Sequence, residues 1–274
     1  MKYCIDYTPN SSKLDKVNEI NIPFNKDKIL TLIDFLKNHT NQRVNIYIKD
    51  IEECLQYKII EKMVKIKGEH PEFNFSLKFA LYDSKLPIKI LQKAKIDFFF
   101  EVYISQWETL LEILNLNVSD IYITGDLGFE LDKVAEIAHK NNTKIRVFPN
   151  VSQKSWIKMP AIKTFFIRPE DTEAYEGFID VLEIYGDRKK HDLYYEIYAE
   201  DKEWYGKLSE IILELNLDLD SKYTIPRFGE RRLKCNRECF KGGKCQICER
   251  VEELSKTLEK ANLVVKIDKE DKNG

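Results

Sequence analysis

Four cysteines stand close together near the C-terminal end of the chain, in the pattern Cys-x3-Cys-x5-Cys-x2-Cys. They are Cys235, Cys239, Cys245 and Cys248. Thiolates are good ligands for zinc and for iron–sulfur clusters, and four of them complete either kind of site. The two close pairs fit the ligand spacing of structural zinc sites, and Gly242 and Gly243 between them allow a sharp turn. The sequence therefore predicts one metal centre holding zinc or an iron–sulfur cluster, and the spacing alone favours zinc.

The other two cysteines, Cys4 and Cys54, lie far from this group and from each other. Cys4 falls in a short apolar stretch typical of a strand, and Cys54 falls in a helical stretch. A buried thiol behaves as a small hydrophobic side chain. We expect neither residue to bind the metal or to form a disulfide, as is usual in a reducing compartment.

The cysteines lie in a basic segment. Residues 222–250 contain nine Lys and Arg residues against three Glu residues, whereas the whole chain has a net charge of −2. These charges either bind the phosphates of a nucleic acid or offset the negative charge of a four-thiolate site. The candidate nucleic-acid-binding residues are Arg227, Arg231, Arg232, Lys234 and Arg237.

Upstream of the cysteines, short β-branched or aromatic runs alternate with amphipathic helical stretches, which indicates βαβ units and a parallel sheet. The predicted strands are 2–7, 43–50, 73–83, 96–103, 120–125, 143–149, 162–170 and 179–186. Eight strands match a (β/α)8 barrel better than an open sheet, and neither G-x-G-x-x-G nor a P-loop motif occurs. A long helix is predicted over 191–216, and an amphipathic helix is predicted over 249–262. We expect a TIM-like barrel over residues 1–216 and a C-terminal metal-binding segment with a helix over residues 217–274.

Polar residues at the carboxyl ends of barrel strands line the active-site face of such folds. The predicted ends carry Asp6, Asp50, Lys78, Glu101, Asp126, Arg168, Glu170 and Glu183. Five of them are our candidate catalytic residues: Glu101, Asp126, Arg168, Glu170 and Glu183. Acidic residues outnumber basic ones, which suits an electropositive substrate group or a metal. A metal-dependent hydrolase is disfavoured because none of the four histidines falls at a strand end.

One strand end has a glycine on each side of an acidic residue. Gly125 and Gly128 bracket Asp126, so this turn either brings backbone close to a ligand or uses Asp126 to cap the next helix. The stretch DIYITGDLGFELDKVAEIAHKNNTKIRVFPNV, within residues 118–151, resembles the collagenase-like peptidase family in its strand, acidic-Leu-Gly turn, helix and second strand. That resemblance implies a (β/α) barrel, a four-cysteine iron–sulfur cluster and, as in several members, hydroxylation of tRNA, rRNA or ubiquinone. The family's His-Gly-small-x-Cys element is absent from this sequence, so the four cysteines correspond to the cluster ligands in function only.

The composition suits a folded protein without a membrane segment: 43% of the residues are hydrophobic and 33% are charged. No apolar run is long enough to span a bilayer, and the first twenty residues lack the apolar core of a signal peptide, so we expect a cytoplasmic protein. Our first hypothesis is a metal- or iron–sulfur-binding barrel enzyme that modifies RNA or a small molecule of unknown identity. The alternative is a non-catalytic barrel with a structural zinc knuckle that binds nucleic acid or a protein partner.

Overall fold

Eight parallel strands form a closed barrel in which each strand pairs with its neighbours in chain order. The computed structural model describes residues 1–8, 11–152, 165–186, 190–200, 202, 204, 207–215, 228–233, 235, 248 and 253. The last strand pairs with the first, with Tyr3 opposite Leu182, and this pairing closes the barrel. The predicted barrel fold is confirmed.

The barrel is built from short strands, which are joined by helices and loops on its outside. They are β1 (Lys2–Asp6), β2 (Glu19–Pro23), β3 (Arg43–Ile48), β4 (Phe75–Phe79), β5 (Asp97–Ile104), β6 (Asp120–Ile123), β7 (Lys144–Val147) and β8 (Val181–Ile184).

Helices of one to three turns follow most of the strands, and their apolar faces pack on the sheet. They are α1 (Ile29–Asn38), α2 (Ile51–Gln56), α3 (Ile59–Glu69), α4 (Ile88–Lys93), α5 (Trp107–Leu114), α6 (Leu131–Lys140), α7 (His191–Ala199), α8 (Leu208–Ile211) and α9 (Phe228–Leu233). Short 3-10 helices cover Lys26–Lys28, Leu127–Phe129 and Pro169–Tyr175. In the part of the chain that the structure describes, no helix is long and apolar enough to cross a membrane.

The two faces of the barrel wall differ in chemistry. Successive side chains of a strand point to opposite faces. The outward positions, such as Ile20, Ile46 and Leu77, join one large apolar core with the surrounding helices. The inward positions carry buried polar and charged side chains, such as Glu19 and Arg43. The barrel interior is therefore the polar part of this molecule, and it opens at the ends of the strands.

Two of the sequence predictions about strands are wrong. β2 was not predicted, although its sequence EINIP alternates between polar and apolar residues. The predicted strand 162–170 is not part of the barrel: its described residues 165–170 lie outside the sheet, and a 3-10 helix begins at Pro169. Phe165 and Phe166 are buried instead by packing on the outside of the barrel.

The predicted long helix over 191–216 is also wrong in its extent. α7 ends at Ala199, and only the four residues of α8 are helical in the described remainder of that range. After α8 the chain turns back to the barrel, where Leu213 forms a parallel bridge with Val151 just beyond β7. The predicted helix over 249–262 lies outside the described residues apart from Glu253.

Candidate active-site cleft and cysteine segment

A network of buried ion pairs fills the barrel interior below the cleft. Arg146, on β7, is fully buried, and its guanidinium donates to Asp120 at 2.9 Å, to Glu183 at 3.3 Å and to Glu19. Arg43, on β3, pairs with Asp120 at 2.8 Å across the barrel interior. Burial alone would raise the pKa of Asp120, but Arg146 and Arg43 outweigh burial and hold that pKa well below its ordinary value.

Glu183, on β8, connects this network to the cleft. One carboxylate oxygen accepts from Asn21 Nδ2 and from Lys78 Nζ, both at 2.9 Å. The other oxygen accepts from the Tyr122 hydroxyl at 2.7 Å and from Arg146. Burial opposes ionisation, but Lys78 and Arg146 outweigh burial and lower the pKa of Glu183. Glu183 is therefore an ionised group that positions its neighbours, and all of its hydrogen-bonding capacity is used inside the protein.

Lys78 is a buried ammonium at the floor of the cleft. Its Nζ lies 2.9 Å from Glu183 and 3.7 Å from Glu101. The same atom lies 5.4 Å from the centre of the Tyr47 ring and 5.1 Å from that of Tyr122. Burial would lower the pKa of Lys78, but Glu183 and Glu101 outweigh burial and raise it. Lys78 is therefore a fixed cation at neutral pH and is unsuited to nucleophilic attack as a free amine.

Glu101 is the more accessible of the two carboxylates beside Lys78, because 17% of its side chain is exposed against 3% for Glu183. It accepts a hydrogen bond from the Tyr103 hydroxyl at 3.1 Å. Burial, followed by Glu101, raises the pKa of Tyr47 to about 12, and the same two causes raise the pKa of Tyr103. Both phenols therefore remain protonated and can donate hydrogen bonds near Glu101.

Lys78, Glu101, Glu183 and Tyr47 line a cleft of about 1040 Å³ at the carboxyl ends of β1 to β5 and β8. Five of the eight predicted strand-end residues line it: Asp6, Asp50, Lys78, Glu101 and Glu183. Tyr47, Tyr185 and Asn21 also line it and were not predicted. A signal for them is present in the sequence, because Asn21 and Tyr47 continue the alternation of inward polar residues that begins at Glu19 and Arg43.

The other three predicted strand-end residues, Asp126, Arg168 and Glu170, do not line this cleft. Arg168 is buried and donates to Asp171 at 2.5 and 2.7 Å and to Glu170 at 3.1 Å. Burial raises the pKa of Glu170 despite Arg168. Asp126 directly precedes the 3-10 helix Leu127–Phe129, and its side chain accepts no capping hydrogen bond from that helix.

Asp171 and the turn after Asp126 hold helix α9. The backbone N–H of Gly229 donates to Asp171 at 3.0 Å, and a Cβ at Gly229 would lie 2.7 Å from the Cβ of Asp171. On the turn, a Cβ at Gly128 would lie 2.5 Å from the Phe165 ring, so only glycine permits this approach.

Arg232 of α9 packs against this surface. It is 5% exposed, and its guanidinium lies 4.4 Å from the centre of the Phe166 ring and 5.1 Å from that of Phe129. We call Phe129, Phe165, Phe166, Arg168 and Asp171 the docking platform. Arg232 was a candidate nucleic-acid-binding residue, and in the structure its side chain is buried on the platform. Arg231 beside it is exposed. Arg227, Lys234 and Arg237 lie outside the described residues.

Of the four clustered cysteines, the structure describes the first and the last. Cys235 and Cys248 are both half-buried, and both pack against the apolar core. Burial lowers the pKa of Arg232, whereas Tyr175, Asp171 and the two cysteines in their thiolate form oppose that effect, so both cysteines lie within electrostatic reach of the same guanidinium. Cys239 and Cys245 lie outside the described residues. Within those that are described, no group of three or more His, Cys, Asp or Glu side chains is arranged to hold a metal.

The two isolated cysteines are buried free thiols. Cys54 packs in the outer apolar core, and burial, followed by Glu61, raises its pKa to about 11. Cys4 faces the polar barrel interior, where its thiol donates to Asn21 Oδ1 at 3.3 Å. Its surroundings are therefore more polar than the apolar strand sequence indicated. Burial and Glu183 raise the pKa of Cys4 well above its ordinary value, which disfavours the thiolate.

The fold and the cleft define a parallel α/β barrel with a polar interior and an acidic opening at the carboxyl ends of its strands. Comparison with models of known protein families and with curated proteins found no match to this sequence.

Proposed function

We propose that this chain is a barrel enzyme that modifies a small molecule in the cleft at the carboxyl ends of its strands. The observation that supports this most is the convergence of Lys78, Glu101 and Glu183 on one cavity of about 1040 Å³. Catalytic groups of barrel enzymes lie on this face, and pockets for small ligands typically have volumes of about 300–1,000 Å³.

The three groups have different roles in this proposal. Glu183 is a positioning residue, because its carboxylate is saturated by four partners. Lys78 supplies a fixed positive charge that stabilises negative charge developing on the substrate. Glu101, partly exposed and 3.7 Å from Lys78, is the group that accepts or donates a proton.

The proposal can be tested by incubating the protein with a mixture of defined small metabolites and following each metabolite by mass spectrometry. We expect protein-dependent conversion of at least one component, and Glu101→Gln should lower its rate by roughly 10²-fold or more. Glu136→Gln is the matched control, because Glu136 is an exposed carboxylate on α6 whose side chain is 66% accessible. A conversion rate that is the same in Glu101→Gln as in the unmodified protein would contradict the role assigned to Glu101. No conversion in any mixture would favour the non-catalytic alternative.

We also propose that Cys235, Cys239, Cys245 and Cys248 bind one metal centre, either zinc or an iron–sulfur cluster. The support is that the first and last of the four, thirteen positions apart, both lie near Arg232 and against the same core. The resemblance to the collagenase-like peptidase family favours iron–sulfur, whereas the cysteine spacing favours zinc.

Metal analysis of protein purified anaerobically without added metal separates the two. A brown sample with a broad absorbance shoulder indicates iron–sulfur, and a colourless sample with one equivalent of zinc indicates a knuckle. Cys239→Ser and Cys245→Ser should each lower the metal content, and full occupancy in both variants would contradict a four-thiolate centre.

Nucleic-acid binding through the basic segment is the second candidate function. Arg231, exposed on α9 beside the buried Arg232, is the described residue that favours it. In this case the barrel would carry the knuckle without catalysing a reaction.

A further inference from the structure

The lining of the cleft indicates what kind of molecule it accepts. We propose that the substrate is an organic cation, a small molecule that carries one or more ammonium groups. This inference rests on the proposed function, because it assigns a ligand class to the same cleft.

The first observation is the charge of the cleft. Seven carboxylates and only two lysines line it. The carboxylates are Asp6, Asp50, Glu52, Glu53, Asp83, Glu101 and Glu183. Of the two lysines, Lys78 is already paired with Glu183 and Glu101, at 2.9 and 3.7 Å. The field of several like charges adds up within a concave surface, so the cleft attracts cations and repels anions.

The second observation is that the floor of the cleft already holds an ammonium. Lys78 Nζ lies between carboxylates and the rings of Tyr47 and Tyr122, at 5.4 and 5.1 Å from their centres. An ammonium is stabilised by the face of an aromatic ring within about 6 Å of its centre. The protein therefore shows, with its own side chain, that this environment favours a primary ammonium in its charged form.

Further aromatic side chains extend the same chemistry into the open part of the cleft. Tyr7, Phe24 and Tyr185 line it together with Tyr47. Apolar and aromatic surface next to carboxylates suits a ligand in which ammonium groups are joined by short hydrocarbon segments. A phosphate-rich ligand such as RNA would instead bring its charges against carboxylates, so the cleft does not favour the RNA backbone.

Calorimetric titration of the full chain with spermidine and with choline tests the proposal, with citrate as the anionic comparison. Both cations should bind, citrate should not, and raising the salt concentration from about 50 to about 500 mM should weaken cation binding. Glu101→Gln should weaken spermidine binding roughly tenfold. Glu52→Gln, at an exposed rim position where Glu52 pairs with Lys85 at 3.3 Å, should weaken it about twofold. Glu136→Gln should leave it unchanged.

The proposal is overturned if neither cation binds, if citrate binds as well as they do, or if binding is the same in Glu101→Gln and Glu52→Gln as in the unmodified protein. The experiments distinguish failure of this ligand class from failure of the proposed enzyme function. Glu101-dependent conversion of an uncharged or anionic metabolite would preserve the enzyme and reject the cation, whereas cation binding without any conversion would preserve the ligand class and reject the enzyme.

Discussion

Replacing Arg146 with methionine removes the charge at the centre of the barrel while keeping a side chain of comparable length. The guanidinium touches three buried carboxylates, and the structure indicates what each of them would lose. Asp120 keeps Arg43 at 2.8 Å, and Glu183 keeps Lys78 at 2.9 Å. Glu19 keeps only Arg43 at 3.7 Å and the amide of Asn45 at 3.2 Å. The substitution therefore leaves about one buried carboxylate without adequate compensation, that of Glu19.

The remaining contacts of these carboxylates indicate how much Arg146→Met should lower the free energy of unfolding. Removing one partner of a buried ion pair typically lowers the free energy of unfolding by about 3–5 kcal/mol, because the remaining charge is buried without compensation. For a chain of this size we expect the melting temperature to fall on the order of 10 °C. The double variant Glu19→Gln/Arg146→Met removes the uncompensated charge as well, so it should recover a large part of the loss. Lys140→Met, at an exposed lysine paired with Glu136, should cost less than about 0.5 kcal/mol.

The effect should also depend on pH. In the unmodified protein the pKa values of Asp120 and Glu183 are lowered, so their contribution to stability is present above the unfolded pKa of about 4 and is lost as the pH falls below it. Arg146 is one of the groups that lower these two pKa values, so in Arg146→Met both should be lowered less. The difference in stability between the two proteins should therefore shrink as the pH falls from 7 to about 3, where these carboxylates begin to be protonated in the variant.

Urea unfolding followed by circular dichroism at both pH values, together with thermal melts, measures these quantities. Three outcomes would contradict the assigned role of Arg146: a cost below about 1 kcal/mol for Arg146→Met at pH 7, no recovery in the double variant, or a stability difference that grows on acidification.

Three further predictions concern other parts of the chain. Gly128→Ala should destabilise the protein by about 1–3 kcal/mol, because the new Cβ would lie 2.5 Å from the Phe165 ring; an unchanged urea midpoint would contradict this packing. The double change Cys4→Ala/Cys54→Ala should leave the metal content unchanged, since both thiols are buried with raised pKa values, and metal loss on analysis would show that one of them is a ligand. Arg231→Glu should weaken any salt-dependent binding to RNA without loss of metal, as measured by filter binding and metal analysis. If the unmodified protein binds neither RNA nor DNA at low salt, the basic residues serve only to offset the negative charge of the thiolates.

The sequence predicted the number of strands correctly, although one strand was missed and one was wrong. Phe165 and Phe166 lie in an apolar run that resembles a strand, but an apolar run signals burial, and these rings are buried on the outside of the barrel against the Gly128 turn and α9. β2 was missed because Glu19 and Asn21 made it look polar. In this barrel the interior is the polar side, so a polar residue at every second position was the signal of a strand.

The residues of the cleft could also be predicted only in part from the sequence. Strand ends can be located from the sequence, and five of the eight residues assigned to them line the cleft. The inward direction of Tyr47, Tyr122 and Arg146 depends on the register between neighbouring strands, which the pattern of a single strand does not contain. The direction of Arg168 depends on Asp171, three residues later, which pairs with it and turns it away from the cleft.

The polar residues after the strands therefore serve two separate sites. One set lines the cleft, and the other belongs to the docking platform that binds Gly229 and Arg232 of α9. No platform residue lines the cleft, and neither do the two described cysteines. The two described cysteines lie within electrostatic reach of Arg232, which packs on the platform, whereas the substrate in our proposal lies among carboxylates and tyrosines contributed by other strands. If this metal centre exists, the separation favours one that stabilises the C-terminal segment or carries electrons over one that coordinates the substrate. Phe129, directly after the acidic-Leu-Gly turn, contacts Arg232 of α9, and Gly128 packs on Phe165, so this turn supports α9 and does not line the cleft.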